Sequence, residues 1–288
     1  MYYDYSVRGL QLYALFGSTS GQGMATTYTG FDEKLTSLNT MGGFSRQLAY
    51  AYDTHGNRTH LVHPDGNYYV FDYDGLDRMQ GIRENGGATV TAYSFDAAGR
   101  RASLTGGVAT TYGYDAISRL TSLSHDLGGV INDVTYSYAS YNPANQILNQ
   151  VRNNDAYAWT GALSATTSYA VNGLNQYTHV GSSLPIYDAR GNLNWDGVNT
   201  SYAYDVENRL ISVSGAIGAT LSYDPNGRLF QVASSTTTSY LIDGDELIGE
   251  YDGSGALQRR YVHGASVDDP VIWYEGSGLA TRRHIRPD

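Results

Sequence analysis

Tyr112-Gly113-Tyr114-Asp115-Ala116-Ile117-Ser118-Arg119-Leu120 sets the fold of this chain, because the same phrase returns again and again. Tyr50, Tyr52, Asp53, Gly56 and Arg58 form one copy, and Tyr73, Asp74 and Arg78 lie in a second. Asp96, Gly99 and Arg100 follow, then Tyr112, Tyr114, Asp115 and Arg119. Later copies hold Tyr202, Tyr204, Asp205 and Arg209, then Tyr223, Asp224, Gly227 and Arg228. The period is about twenty residues, a length typical of repeat arrays.

Each copy has a physical reading. Residues i and i+2 of a strand share a face, so both tyrosines project to one side. Aspartate then ends the strand, since its carboxylate can accept backbone N–H groups just ahead. Glycine often sits three positions later, at Gly56, Gly99, Gly191 and Gly227, where a tight hairpin needs positive φ. Asp77, Ser118 and Asn208 occupy that place in other copies, and serine suits it least. The chain returns with alternating apolar residues, as in Arg209-Leu210-Ile211-Ser212-Val213. The fold class is therefore all-β, an array of antiparallel hairpins. Residues 148–165 carry no convincing helix caps and suit an irregular excursion.

Composition narrows the function. Hydrophobic residues make up 41% of the 288 and charged residues 16%, which argues for an ordered chain. A net charge of −10 with no basic stripe disfavours nucleic acid. The absence of cysteine removes disulfide and thiolate chemistry. No apolar run is long enough for a transmembrane helix. The opening Met1-Tyr2-Tyr3-Asp4-Tyr5 reads as mid-repeat rather than as a secretory signal.

Candidate chemistry is sparse. The Asp–Arg pairs at i,i+4 recur too often to be catalytic and are expected to staple turns or stack on tyrosine. His55, His60 and His63 match no strong zinc spacing. Asp243-Gly244-Asp245-Glu246 and Asp268-Asp269-Pro270 read as solvated acidic loops. No catalytic, cofactor or metal residue is expected. Rows of tyrosine could stack on sugars, though packing between hairpins is the stronger reading.

The phrase Tyr-x-Tyr-Asp-x-x-Gly-Arg resembles the signature of the YD-repeat family: bacterial Rhs proteins, the C component of insecticidal toxin complexes and the teneurin shell. The resemblance covers nearly the whole chain. It implies one long sheet of hairpins spiralling into a β-cocoon shell that encloses a C-terminal effector for delivery. Expected partners are the remainder of that shell and its effector. A secreted or surface carbohydrate-binding module is the alternative. The resemblance also implies export by a specialised system, with a cytoplasmic stage before delivery. Residues 1–240 correspond to the repeat array, and 241–288 resemble the lead-in to the Rhs-associated core. The acidic Asp-Pro-x-Gly motif of that core and the variable toxin are missing from the C-terminal end, so self-cleavage and toxicity do not carry over. About two dozen strands at about 4.8 Å each give about 115 Å of sheet, a turn or so of a wide spiral. A fragment of a larger shell, or a truncated gene product, is the expectation.

Overall fold

The computed structural model describes residues 1–162 and 164–286. Leu163, within the 148–165 excursion, lies outside the described residues, as do Pro287 and Asp288 at the end of the 241–288 segment.

A first sheet of 14 strands runs in sequence order. It comprises β1 (Tyr2–Tyr5), β2 (Gln11–Leu15), β3 (Gly23–Tyr28), β4 (Lys34–Asn39), β5 (Arg46–Tyr52), β6 (Arg58–Val62) and β7 (Tyr68–Tyr73). It continues through β8 (Met79–Glu84), β9 (Thr89–Phe95), β10 (Arg101–Thr105), β11 (Ala109–Tyr114), β12 (Leu120–Asp126), β13 (Val134–Tyr141) and β14 (Ile147–Arg152). The stretch 148–165, read from sequence as irregular, begins instead in strand, since β14 pairs with β13, and a short 3₁₀ turn, Asp155–Tyr157, follows. The pair β15 (Tyr169–Val171) and β16 (Tyr177–Val180) stands between the two large sheets.

The second sheet has 11 strands, again in sequence order. These are β17 (Ile186–Tyr187), β18 (Leu193–Trp195), β19 (Ser201–Tyr204), β20 (Leu210–Ser214), β21 (Ala219–Tyr223) and β22 (Leu229–Ala233). Then follow β23 (Thr237–Asp243), β24 (Glu246–Asp252), β25 (Leu257–His263), β26 (Pro270–Glu275) and β27 (Arg282–His284). Residue 240 falls inside β23, which pairs with β22 on one side and β24 on the other.

The turn of the repeat phrase has one form. The aspartate N–H donates to the carbonyl four residues on, and the residue three on donates back: Asp96 N to Arg100 O and Gly99 N to Asp96 O, both 2.9 Å. The loop is thus three residues long and ends in the left-handed region, a type I turn closed by a bulge. Gly56, Gly99, Gly191 and Gly227 have φ of 85, 79, 89 and 82° there. Asp77, Ser118 and Asn208 adopt the same conformation at 59, 68 and 61°. The turn geometry overrides the side chain's preference at Ser118. Register follows from it: Tyr112 lies opposite Leu123 and Tyr114 opposite Leu120, with a bulge between. Tyr202 and Tyr204 repeat this against Val213 and Leu210.

The two sheets are not separate walls. Leu48, Leu61, Tyr69, Phe71 and Ile82 of the first sheet share one buried cluster with Leu241, Ile248, Val262, Ile272 and Tyr274 of the second. The order of contact shows how. Tyr3 meets Pro225, Lys34 meets Asp243, Asp65 meets Arg260, Glu84 meets Tyr274 and Gly106 meets Arg286. Position rises together on both sides, while the separation shrinks from 222 to 180 residues. A strip folded back on itself would pair early strands with the last ones. This strip instead winds past its own beginning as a spiral. Strands β12 and β13 lie outside the overlap, and their face is covered by a smaller cluster of Leu123, Val134, Tyr136 and Tyr138.

Candidate functional site

Two arrangements of polar side chains organise the structure: a ladder along the turns and a seam between the layers. In the ladder, each turn aspartate holds its own loop and reaches the next hairpin. Asp96 Oδ1 accepts the N–H groups of Ala98 and Arg100 at 2.9 Å, and Oδ2 accepts Arg100 Nε at 2.7 Å. The Arg100 guanidinium then lies 4.5 Å from the ring centre of Tyr114, in the following hairpin. Tyr114 returns a hydrogen bond to the carbonyl of Arg101 at 3.0 Å. Carboxylate, guanidinium, ring and carbonyl thus form a closed circuit across two hairpins. The staple and the stack proposed from sequence operate together.

The circuit repeats with variations. Asp115 and Arg119 engage Tyr141, which donates to Leu120 O. Asp205 and Arg209 engage Tyr223, which donates to Leu210 O at 2.7 Å. Asp74 and Arg78 engage Phe95 at 4.3 Å, where no hydroxyl is present. Asp224 and Arg228 reach the carbonyl of Gly244 instead. Asp224-Pro225-Asn226-Gly227 has the letters Asp-Pro-x-Gly, yet it forms an ordinary turn closed by Gly227 N to Asp224 O. In the first copy the spacing slips by one. Asn57, not Arg58, binds Asp53, and it extends to Asp77 at 2.9 Å. Tyr50, Tyr52, Tyr112, Tyr202 and Tyr204 face the same side as these rings, and Tyr50 is 5% exposed.

Arg58 is thereby released to the seam. It faces Asp243 at 3.5 Å and Glu246 at 3.6 Å, while Lys34 Nζ lies 2.6 Å from Asp243. Asp243 is buried between the layers, a correction to its reading as a solvated loop residue. Arg260 is fully buried and pairs with Asp65 across the layers. Tyr274 donates to Glu84 at 2.5 Å. Burial first, then the neighbouring Tyr69 and the Glu84 bond, pushes the Tyr274 hydroxyl above its usual range. Between the layers lies a cleft of about 680 Å³ lined by Tyr52, Arg58, Tyr73, Arg78, Phe95, Arg101 and residues 264–267. Asp269 stands 3.9 Å from Arg101 at this end with its side chain only 13% exposed, and Pro270 opens β26, so of the run 268–270 only Asp268 fits the solvated-loop reading.

Sequence reasoning passed over Lys34, Glu84, Arg260 and Tyr274, and weighed Asp65 only as a fourth metal ligand beside the three histidines, whereas it pairs with Arg260. A parity signal existed for Arg260, which shares the core face of β25 with Val262. The three histidines named as a cluster do not converge. His55 is exposed beside Asp77, His60 stacks on Tyr68, and His63 is buried against Tyr69. Ligand atoms of Asp53, His55 and Asp77 come within 4.8 Å of one another at the surface.

These groups give the protein a one-sided acid sensitivity. Burial, aided by Arg260 and Arg58, pushes His63 down to about 3, and burial with Arg286 and Arg282 pushes His284 down to about 4. Below the ordinary histidine value of 6.5 the unfolded chain takes up protons that the fold excludes, so stability is full above that value and falls as pH drops. The turn aspartates add to this lower down. Asp74 and Asp96 are held below 3.8 chiefly by the guanidinium bond, and Asp115 and Asp205 chiefly by the backbone N–H bond. Their contribution is present above 3.8 and is lost as pH falls through their folded values. His55, raised by Asp77, acts in the opposite sense from an exposed position where screening weakens it. The melting temperature should fall between about pH 7.5 and about pH 5. Equal midpoints in the two thermal scans would refute this.

No family model and no curated protein matches this chain. Among solved structures, a chain of the Photorhabdus luminescens Tc holotoxin pore superposes with a TM-score of 0.51 at 12% identity. That alignment covers 95% of this chain and 18% of the other. The TcdB2-TccC3-TEV crystal structure gives 0.43 at 12% identity, covering 89% and 15%. The likeness is one of fold, and this chain spans less than a fifth of the Tc holotoxin chain it matches. The all-β hairpin array expected from the YD-repeat resemblance is found, with its strands divided between two large sheets and a two-stranded pair instead of running in one long sheet.

Proposed function

We propose that this chain is a non-enzymatic wall segment of a YD-repeat toxin shell, which encloses a C-terminal effector until delivery by an export system. The observation that carries this reading is the winding itself. Strands pair in unbroken sequence order within each large sheet, and the strip passes its own beginning in one direction. Such a strip can extend by adding hairpins at its ends without disturbing the turns already made, because each unit is held by its neighbours. The polar residues of the seam suit a structural role: Asp243, Asp65 and Glu84 each bind a partner from the opposite layer. The fold shared with part of a Tc holotoxin chain supports the same reading. The remainder of the shell and the effector are the partners it requires.

The test is limited proteolysis of the natural polypeptide that carries this segment together with its cargo. The cargo should resist cleavage while the wall is intact and become sensitive once the wall is unfolded. Cleavage of the cargo as fast as the free cargo would overturn the proposal.

A further inference from the structure

At the seam, Arg46 on β5 is only 4% exposed, and its side chain has no carboxylate partner among the described residues. Its guanidinium is clamped between two rings, 4.0 Å from the centre of Tyr251 on β24 and 4.9 Å from that of Phe44. The Nη2 atom is buried without a hydrogen-bond partner. Arg46 lines a cavity of about 390 Å³ together with Phe44, Asp65, Tyr251 and Leu257. The one acid in this lining, Asp65, is already engaged by Arg260, whose Nε and Nη1 are also unpartnered. The single carboxylate of this lining pairs with Arg260, which leaves the Arg46 cation uncompensated in a desolvated place. Ring stacking alone supplies no acceptor for the guanidinium N–H groups.

We infer that this cavity is a binding site for a small carboxylate with an apolar body. The carboxylate would accept hydrogen bonds from Arg46, which presents donors in a planar fork suited to two oxygens. The apolar body would lie against Phe44, Tyr251 and Leu257. The apolar share of this lining favours an organic carboxylate over a fully hydrated phosphate or sulfate. Gly255 lets the Phe44 ring pack directly on its backbone and so fixes that wall of the cavity. It has φ of 85°, and a Cβ there would fall 2.2 Å from the Phe44 ring. The site joins the layers, since Phe44 and Arg46 come from the first sheet's side and Tyr251 to Leu257 from the second.

Calorimetric titration of the whole chain with sodium benzoate, at ionic strength held constant with sodium chloride, tests the assignment. One saturable site is expected, with no binding of the neutral isostere benzamide and none of sulfate at matched concentration. Arg46→Met should weaken benzoate at least about tenfold, the loss expected for a charge-assisted contact. Should that variant fail to fold, Ala256→Phe decides. Ala256 is an exposed residue of the same lining, so the new ring obstructs the cavity and leaves Arg46 in place. Ala256→Phe should melt like the wild type and lose the benzoate heat. Heats no greater than dilution, equal binding of benzamide, or unchanged affinity in these variants would overturn the inference.

Discussion

Replacing Asp65 by alanine is expected to lower the unfolding free energy by about 3 kcal/mol, read from the urea midpoint. Asp65 lies between β6 and β7, and its carboxylate is the acid that meets Arg260 across the layers. The Arg260 side chain is 0% exposed, so the variant leaves its charge where water cannot reach it. The value belongs at the low end of the range for buried pairs, because Asp65 is itself 34% exposed. The same argument fixes the sign of a second change. Methionine at position 260 fills apolar space and needs no counter-ion, so Asp65→Ala with Arg260→Met should recover most of the loss. A single Asp65→Ala variant as stable as the wild type would show that the pair does not bridge two packed layers.

Ile272→Ala should cost about 3 kcal/mol, within the usual range for a buried isoleucine. Ile272 is 0% exposed on β26 and belongs to the cluster shared with Phe71 and Ile82. The winding makes the effect non-local. Amide exchange should accelerate in β7 and β8, strands far away in sequence, as well as in β25 to β27. Leu123→Ala is the matching control, because Leu123 lies on β12 in the separate cluster outside the overlap. It should loosen β12 and β13 and leave β26 protected. Exchange that rises only in β25 to β27 for Ile272→Ala would mean that the layers are not packed on each other.

Much of the array was legible because it is local. The Asp-x-x-Gly-Arg phrase places its carboxylate, its left-handed residue and its arginine within five positions, so backbone geometry alone ties them together. Even Ser118 was read at a left-handed position through its place in the phrase. One slip came where two candidates stood side by side. Asn57 and Arg58 can both reach a turn carboxylate, and only the register of Tyr52 against Arg58 shows that Asn57 takes the role. The acidic run at 243–246 was misread for a different reason. Its charges look solvated until Lys34 and Arg58 arrive from the other layer.

The sequence by itself determined the strip: its all-β class, its hairpin unit, the left-handed position in its turn and the shared face of its paired rings. These rest on directional hydrogen bonds between neighbours, and a short phrase specifies them. The family resemblance implied a spiral, but only the tertiary structure decided which strands overlap and that Arg46 and Arg260 become buried cations. Those outcomes join residues about 200 positions apart by burial of apolar faces, which is non-directional and leaves no periodic mark on the chain.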